Sequence, residues 1–397
     1  MELKTIVLNK GKDKSLERKH PWVFSGAINK IISNTGKAPE IGELIEVVDF
    51  KNRFLALGHF NDATISVRVV SFEKLSIDQN FWEMRIKSAY KLREKLGLTN
   101  SSSTNMYRLM HAEGDGVPGL IIDYYNGTAV IQVHSIGIYN ELEKICNALK
   151  LIYGNQLIAI YNKSTESISR QTDENIINDY IFKNAEPSLI GLEHRNKFNL
   201  DWINGQKTGF FLDQRESRNL LGQYCKDKKV LNTFCYSGGF SVYALKAGAK
   251  LVHSVDSSQK AIELTEENIK LNGLNNHRSF KSDTLIFLKD NTNDYDVIIL
   301  DPPAYAKNHK AKHNAIQGYK RLNKMALGQI KPGGIIFTYS CSQVVTRKLF
   351  YDTIVAAAIE VGRNIRVLHH LSQPSDHPVN IYHPEGEYLK GLVLYVE

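Results

Sequence analysis

The sequence predicts an α/β protein in which a doubly wound parallel sheet follows a small β-rich domain and a central α+β domain. From residue 230 onward, apolar strand-like runs alternate with helix-compatible segments, the pattern of a sheet covered by helices on both faces. The first of these runs ends in a Ser-Gly-Gly turn, and the second ends on Asp256. Strand, glycine turn, helix, strand and terminal acid are typical of a nucleotide-binding unit.

Residues 1–72 are predicted to form the β-rich domain. Apolar stretches recur at Thr5–Leu8, Leu44–Val48, Phe54–His59 and Ile65–Val70, with polar or glycine-containing breaks between them. Short apolar runs separated by such breaks indicate strands joined by turns.

A basic run leads into an aromatic cluster at the start of this domain. The first 22 residues carry six basic and three acidic side chains, including Lys14, Arg18 and Lys19, and they end at Trp22. Basic and aromatic side chains together suit contact with phosphates and stacking on bases. We expect Trp22 and Phe24 to lie in the core rather than to stack on a ligand.

Residues 73–190 are predicted to form the central α+β domain, with helices over 78–96 and 138–150 and a strand over 157–161. A Gly- and Pro-rich stretch after His111 leads into a hairpin. His111, Glu113 and Asp115 are metal-ligand types, but the crowded glycines and proline favour a structural turn.

Residues 191–397 are predicted to contain the doubly wound sheet. A strand near Phe198 runs into a glycine-hinged polar turn, and a helix follows from Asp213, a plausible N-cap. This segment either closes over a ligand or is a plain connector.

In the sheet, the strand ends carry Asp256, Asp283, Asp301 and Cys341. The carboxyl ends of parallel strands meet at one edge, so these residues should share a crevice, although any single aspartate there can be a helix cap.

Composition favours an intracellular, nucleic-acid-binding protein. Lysine and arginine exceed aspartate and glutamate by 50 to 42, a formal charge of +8, which suits a polyanionic partner. The four cysteines form no Cys-x-x-Cys pair, so a reducing cytoplasm fits best. No secretory signal or membrane-spanning run is predicted. No metal site is predicted either, since the C-terminal histidines lack ligand spacing with cysteines.

A second basic run begins just after Asp301. Between residues 304 and 331 there are seven basic side chains and no acidic one, interleaved with Tyr305 and Tyr319. Phosphate capture at the entrance to the site is one interpretation. A solvated helix face is the alternative.

These motifs together resemble a known family. The stretch 232–241, Asp256, Asp283, the Asp-Pro-Pro-Ala-Tyr run from Asp301 and the Ser-Cys-Ser around Cys341 resemble the motif series of class I S-adenosylmethionine-dependent RNA methyltransferases. More narrowly, the chain resembles the bacterial large-subunit ribosomal RNA cytosine-5 methyltransferase family. Residues 14–27 are similar to that family's RNA-binding PUA domain, 113–123 to its central domain and 208–215 to its pre-catalytic loop.

The resemblance implies a Rossmann-like methyltransferase domain, S-adenosylmethionine as cofactor and large-subunit ribosomal RNA as partner, with a homodimer left open. It implies that Asp256 binds the ribose, Asp283 the adenine amino group, and Asp301 the target base, with Cys341 as nucleophile. The implied cofactor-binding set is Asp213, Gln214, Phe234, Tyr236, Ser237, Gly238, Asp256, Ser257, Asp283 and Asp301. The residues expected to contact RNA are Lys14, Arg18, Lys19, Tyr305, Lys307, Lys310 and Lys312.

The chemistry is consistent with a cysteine nucleophile. C5 of cytosine is a poor nucleophile until a thiolate adds to C6 and makes C5 enamine-like. The thiolate is the active form, and it gains from a nearby positive charge or a helix start. Cys235, within the cofactor turn, is the rival candidate, although a small filler role suits it better.

Three other functions stay open at this point. The first motif has Asn232 and Cys235 in place of the usual acidic, glycine-rich pattern, and a sister branch acting on guanine has a similar motif. Methylation of an exocyclic amine or ring nitrogen, which needs no cysteine, is therefore the main alternative. The others are a non-catalytic RNA-binding assembly factor and an NAD-dependent dehydrogenase, in which the Asp301 and Cys341 motifs would have no place.

Overall fold

The structure, a computed structural model, describes residues 3–34, 36–172, 175–290, 295–306 and 308–397. The chain forms two compact units. The first comprises Met1–Leu189, Asp201–Phe210 and Ser375–Gly386, and the second comprises Ile190–Leu200, Phe211–Pro374 and Glu387–Glu397. Each unit is therefore assembled from segments that are distant in sequence. The division into domains 1–72, 73–190 and 191–397 stays a prediction.

A six-stranded sheet forms the N-terminal part of the first unit, in the spatial order β2-β6-β5-β4-β1-β3. All neighbours are antiparallel except β1 and β4. Alternating side chains such as Ile6, Ile45 and Val67 are fully buried and form its core. Four of its strands confirm the predicted runs, whereas the apolar pattern does not predict β2, β3 or the one-turn helix. The elements are β1 (Thr5–Leu8), α1 (Lys14–Glu17), β2 (Trp22–Phe24), β3 (Ile28–Ile32), β4 (Leu44–Val48), β5 (Phe54–Phe60) and β6 (Ile65–Ser71).

A helix and a second sheet complete the first unit. Helix α2 (Gln79–Lys95) begins at Asp78, whose side chain accepts a hydrogen bond from the Phe81 amide at 3.1 Å. Its buried residues, Trp82 among them, join the core of a five-stranded sheet with the order β11-β10-β9-β8-β7. The remaining elements are β7 (Met106–His111), β8 (Leu120–Tyr125), β9 (Thr128–Val133), α3 (Ile136–Asn140), α4 (Leu142–Tyr153), β10 (Ala159–Asn162), α5 (Thr165–Ile168) and β11 (Asp179–Lys183). The predicted hairpin is β8–β9.

The Gly- and Pro-rich turn after β7 is structural. Asp115 accepts hydrogen bonds from the fully buried guanidinium of Arg93 and from the His111 amide at 2.6 Å. Glu113 accepts the indole N–H of Trp22 at 2.9 Å. These side chains therefore form hydrogen bonds within the fold, which is consistent with a structural turn.

A segment from near the end of the chain completes the same unit. In this returning segment (Ser375–Gly386), the carbonyl oxygen of Asp376 accepts a hydrogen bond from Arg93 at 2.6 Å. Gly114 is required opposite it, since a Cβ there would lie 1.9 Å from the carbonyl oxygen of Pro378. The contact is too close for any other residue type.

The second unit contains the predicted doubly wound sheet, with the order β16-β15-β14-β17-β18-β20-β19. Its strands are parallel except β20, which is antiparallel to both of its neighbours. The order reverses between β14 and β17, the point at which such sheets bind ligands. The elements are β12 (Ile190–Glu193), β13 (Asn196–Asn199), α6 (Arg215–Leu221), β14 (Lys229–Thr233), α7 (Gly239–Lys246), β15 (Leu251–Asp256), α8 (Gln259–Leu271), β16 (His277–Lys281), α9 (Thr284–Asp290), β17 (Val297–Leu300), α10 (Lys312–Gln329), β18 (Gly334–Ser340), α11 (Arg347–Val361), β19 (Ile365–Ser372) and β20 (Lys390–Val396).

Burial follows from this topology. All four residues of β17 are buried, as expected of a central parallel strand covered on both faces. Across the described residues, none of the helices is at once long enough and apolar enough to span a bilayer.

Candidate active site

The turn after β14 has an unusual backbone. Phe234, Tyr236 and Gly238 all have positive φ, at 53°, 47° and 71°. Two of these residues are not glycine, so the left-handed conformation is costly and has to be held by the surroundings. Such strain concentrates at functional sites.

Side chains of α8 hold this turn. The Thr265 hydroxyl donates to the Tyr236 carbonyl oxygen at 3.0 Å, and the Asn268 amide donates to the Ser237 carbonyl oxygen at 2.8 Å. A Cβ on Gly238 would lie 2.7 Å from Thr265 Cγ2. Glycine is therefore required here for packing against α8 as well as for its backbone conformation.

Asp256, at the end of β15, joins the turn to the next helix. Its carboxylate accepts the Tyr236 amide at 3.1 Å and the Ser258 amide at 2.9 Å. Ser258 is the N-cap of α8, since its hydroxyl accepts the Ala261 amide. Ser257 is exposed between them. The acid thus lies fixed beside the strained turn.

Asp283 caps the start of α9. One of its carboxylate oxygens accepts the amides of Leu285 and Ile286, at 2.8 and 3.1 Å. The helix-cap interpretation of this aspartate is therefore correct, and a ligand would have to use its remaining acceptor capacity.

The pairing register of β14, β17 and β18 places the carboxyl ends of these strands at the same edge of the sheet. Leu300 of β17 pairs with Thr233 on one side and with Thr338 of β18 on the other. Asp301 follows directly and is half-buried. Cys341 comes directly after β18, so it and Asp301 follow neighbouring strands at the carboxyl edge of the sheet.

The predicted helix start at Asp213 is wrong. Asp213 and Gln214 are buried in a 3-10 turn over Leu212–Gln214, and the N-cap of α6 is Gln214. Asp213 instead accepts a hydrogen bond from the Tyr388 hydroxyl at 2.8 Å. The side-chain oxygen of Gln214 is buried and has no hydrogen-bond partner among the described residues, which is costly unless a ligand supplies one.

The four cysteines differ sharply in environment. Cys146, Cys225 and Cys235 are buried, and burial raises the pKa of each thiol to about 12. Cys341 alone is half-exposed. Buried thiols with raised pKa values are inert, whereas the Cys341 thiol is partly accessible to solvent.

A buried lysine beside Cys341 is absent from the sequence prediction. Lys390 of β20 is 3 % exposed, and its ammonium donates to the Ser342 carbonyl oxygen at 2.7 Å. Burial lowers the pKa of Lys390 to about 8, while the neighbouring Cys341 and Glu387 act in the opposite direction. On the other side, the Tyr319 and Ser342 hydroxyls are 3.0 Å apart. The loop after β18 is therefore held from two directions.

Three of the basic residues that follow Asp301 form ion pairs within the fold. Lys320 and Lys324 both pair with Glu360, at 2.5 and 2.9 Å, and Lys331 lies 3.5 Å from Asp296. Acids from elsewhere in the chain therefore compensate part of this basic run, and phosphate capture by the rest of it stays a prediction. Lys310 is exposed, Lys312 and Tyr305 are half-buried, and Lys307 lies outside the described residues. Burial raises the pKa of Tyr305 to about 12.

The N-terminal candidates lie at the surface of the first unit. Lys14, Arg18 and Lys19 are exposed. Trp22 is half-buried, but Phe24 is 44 % exposed. The expectation that Phe24 lies in the core is therefore wrong, because β2 pairs only with β6 and its last side chain faces outward.

Similar folds occur among solved structures. A candidate SAM-dependent methyltransferase from Streptococcus mutans covers 98% of this chain and 99% of its own, with a TM-score of 0.83 and 22% identity. A candidate methyltransferase complexed with SAH has a TM-score of 0.84 and 23% identity over the same shares of the two chains. The fold is thus the Rossmann-like methyltransferase fold with an added N-terminal β domain.

Sequence comparisons show the family. A model of S-adenosylmethionine-dependent methyltransferases matches residues 115–380, and a PUA-like domain model matches residues 6–72. The chain therefore belongs to the S-adenosylmethionine-dependent methyltransferase family. It is 39% identical over 399 residues to ribosomal RNA large subunit methyltransferase I of Tolumonas auensis, covering 98% of each chain. The protein of the same name from Enterobacter sp. is 38% identical, with 98% of this chain and 99% of the relative covered.

The residues present fit this cofactor. A fixed carboxylate at Asp256 suits ribose hydroxyls, and the turn before α7 presents backbone amides near a helix start. The unpartnered oxygen of Gln214 offers a buried acceptor to a cationic group.

Proposed function

We propose that this protein methylates C5 of a cytosine in large-subunit ribosomal RNA through a covalent bond between Cys341 and C6. The observation that carries the proposal is the half-exposed Cys341 after β18, set against three buried and inert cysteines. The names of the relatives and the PUA-like domain support ribosomal RNA as substrate. The positive net charge is consistent with this choice.

The cofactor-binding roles that the resemblance implies are part of this proposal, and the positions of the side chains are consistent with them. Asp256 would accept the ribose hydroxyls, and Asp283 the adenine amino group. Asp213 and Gln214, with the turn Tyr236–Gly238, would hold the methionine part, while Phe234 and Ser257 flank it. When bound, S-adenosylmethionine supplies an electrophilic methyl group on a sulfonium.

The chain's own residues would activate the base. The Cys341 thiolate adds to C6, and the electron pair of the C5–C6 bond makes C5 a nucleophile. C5 would then take the methyl group, and the bond between that group and the sulfonium would break. Loss of the C5 proton to a general base would restore the C5–C6 double bond and expel the thiolate. Asp301 would stabilise charge that develops on the ring at N3 and the amino group. A base within a helix must first be splayed out to reach these groups.

Lys390 would favour the reactive form of Cys341. A positive charge close to a thiol stabilises the thiolate, and this ammonium is held by the Ser342 carbonyl oxygen, one residue from the thiol. Because the lysine is buried, its charge is poorly screened. The exposed Lys14, Arg18, Lys19 and Lys310, with Lys312 and Tyr305, would contact the RNA.

The proposal is tested by identifying the methylated nucleoside. Purified protein, S-adenosylmethionine and unmodified large-subunit ribosomal RNA should yield 5-methylcytidine by nucleoside mass spectrometry. A methylated guanosine or adenosine instead would support methylation of an amine or ring nitrogen. If no methyl group is transferred and no cofactor binds in calorimetry, the chain would be a non-catalytic RNA-binding factor.

Replacement of Asp256 by asparagine should weaken cofactor binding. Hydrogen bonds to a charged group contribute about 1.5–3 kcal/mol, so we expect the Kd for S-adenosylmethionine to rise at least tenfold. Calorimetry measures this change. Glu266→Gln, which removes one negative charge from the exposed face of α8, should leave the Kd unchanged. An equal effect of both variants would refute the assigned role of Asp256.

Replacement of Lys390 by methionine should slow alkylation of Cys341. In the native protein iodoacetamide reports on Cys341, because the other three thiols are buried. We expect about tenfold slower alkylation at pH 7, since an opposite charge nearby shifts a titration by one unit or more. The ammonium is present below about pH 8 and lost above it, so the difference between the two proteins should narrow as the pH rises through that value. The exposed Lys250→Met is the control; a rate for Lys390→Met matching it contradicts the role.

A further inference from the structure

Three side chains of metal-binding type meet in the first unit, whereas Cys341 and the turn after β14 belong to the second. They are His20, just before β2, and His383 and Glu385 of the returning segment. Their ligand atoms all lie within 4.8 Å of one another. The carboxylate of Glu385 is 3.7 Å from His20 Nε2 and 3.9 Å from His383 Nε2.

His383 is buried without using its ring nitrogens. The residue is 3 % exposed, and neither ring nitrogen has a hydrogen-bond partner within the described part of the chain. The Trp22 ring packs edge-on against it, with centroids 4.4 Å apart. A buried imidazole in an aromatic environment loses its hydration, and no hydrogen bond replaces it here. An unmet acceptor of this kind points to a ligand.

The surrounding backbone fixes the arrangement. The His383 amide donates to the Asn380 carbonyl oxygen at 2.8 Å, and the Asn380 side chain donates to the Glu113 carbonyl oxygen at 3.3 Å. Glu113 also accepts the Trp22 indole N–H. Glu113 is therefore hydrogen-bonded both to the loop that carries His383 and to Trp22. Trp22 lies two residues after His20. Preorganised ligands bind metals with little loss of chain entropy.

We propose that His20, His383 and Glu385 bind a divalent transition-metal ion, Zn²⁺ by preference, with water as a further ligand. Two imidazoles and one carboxylate form a donor set that Zn²⁺ favours. Ligands about 2.0–2.2 Å from the ion lie roughly 3.3–3.6 Å apart in a tetrahedron, so small side-chain rotations close the present spacing. The side chain of Glu385 is 56 % exposed, which leaves an approach for the ion and for water.

The surroundings of His20 also suit a metal site. His20 Nδ1 lies 3.3 Å from the Trp22 amide, which can donate to it, and 3.4 Å from the Trp22 carbonyl oxygen. The backbone of Trp22 therefore engages Nδ1, and Nε2 is the ring nitrogen left for a metal. The acidic side chain of Glu113 adds negative charge nearby. Because the histidines come from opposite ends of the chain, spacing along the sequence cannot indicate this site, and the sequence prediction of no metal omits it. A bound ion would fasten the returning segment to the N-terminal sheet.

Chelator-treated protein titrated with Zn²⁺ in a calorimeter, and with Co²⁺ by absorption spectroscopy, tests the proposal. We expect one equivalent to bind, the Co²⁺ bands of a tetrahedral site to appear, and the Tm to rise with metal. His20→Gln/His383→Gln should lose all three responses. Glu385→Ala, an exposed change that should not affect folding, should weaken the Kd at least about tenfold.

Two exposed histidines of the second unit provide the matched control. His313→Gln/His370→Gln removes the same number of imidazoles and should bind like the unaltered protein. Metal binding that persists in the site variants would come from elsewhere, for example from Cys341, and would overturn the proposal. Absence of stoichiometric binding in the unaltered protein would overturn it as well.

Discussion

Replacing Cys341 by alanine should abolish methyl transfer and leave S-adenosylmethionine binding intact, if the proposed covalent mechanism holds. Without the thiolate no bond forms at C6, so C5 never becomes a nucleophile. Removal of a catalytic nucleophile costs on the order of 10³-fold or more in rate. Cofactor affinity should change less than about twofold, because none of the proposed cofactor contacts involves this side chain. Methyl incorporation into RNA and calorimetry measure the two quantities.

A mechanism-based probe sharpens this expectation. With RNA that contains 5-fluorocytosine, C5 carries fluorine instead of a removable proton, so the thiolate cannot be expelled and the protein stays attached to the RNA. The unaltered protein should form this adduct, resistant to denaturing gels, whereas Cys341→Ala should not. Cys235→Ala should retain the adduct, since that thiol is buried with a raised pKa. Methylation by Cys341→Ala at the normal rate would exclude the covalent mechanism and favour attack by an amine or ring nitrogen.

Replacing Glu193 by leucine should cause the largest loss of stability in the second unit. Glu193 is fully buried and accepts two hydrogen bonds from Arg218, both at 2.7 Å. The Tyr243 hydroxyl donates to the same carboxylate at 3.1 Å. Removing one partner leaves a buried, uncompensated guanidinium, which costs about 3–5 kcal/mol. Denaturant unfolding followed by circular dichroism measures the change in the free energy of unfolding.

The double variant separates the cost of the unpaired charge from the cost of the lost packing. Glu193→Leu/Arg218→Met removes both charges, so much of the lost stability should return, because a buried ion pair replaced by apolar groups is often close to neutral. A single Glu193→Leu variant that loses less than about 1 kcal/mol would show that Arg218 finds another acceptor. One is already close, since Arg218 also donates to the Phe211 carbonyl oxygen at 3.0 Å.

The sequence predicts the sheet and the residues at its carboxyl edge well, because both follow from local periodicity. Parallel strands buried on both faces give apolar runs such as β17, and the residue after each run must lie at the carboxyl edge. Asp256, Asp301 and Cys341 are found at that edge for this reason. The strained backbone at Phe234 and Tyr236 is not predictable, since both residue types normally avoid positive φ.

Local sequence patterns do not predict which side chains pair between segments that are distant in the chain. Aspartate is a residue type that favours N-caps, but the Asp213 carboxylate instead accepts a hydrogen bond from the Tyr388 hydroxyl. Lys320 and Lys324 are of a residue type that binds phosphates, but both form ion pairs with Glu360 of α11. Lys390 belongs to an apolar strand, where lysine would be expected to point outward. In each case the partner of the side chain lies far away in sequence.

The returning segment has a consequence for how the protein is made. The ribosome delivers the chain from its N-terminus, yet Arg93 and Gly114 meet their partners only when Asp376 and Pro378 have been synthesised. Until then a buried guanidinium lacks part of its hydrogen bonding. The first unit should therefore mature only after its returning segment has been synthesised, so that a product truncated before Ser375 lacks part of this unit.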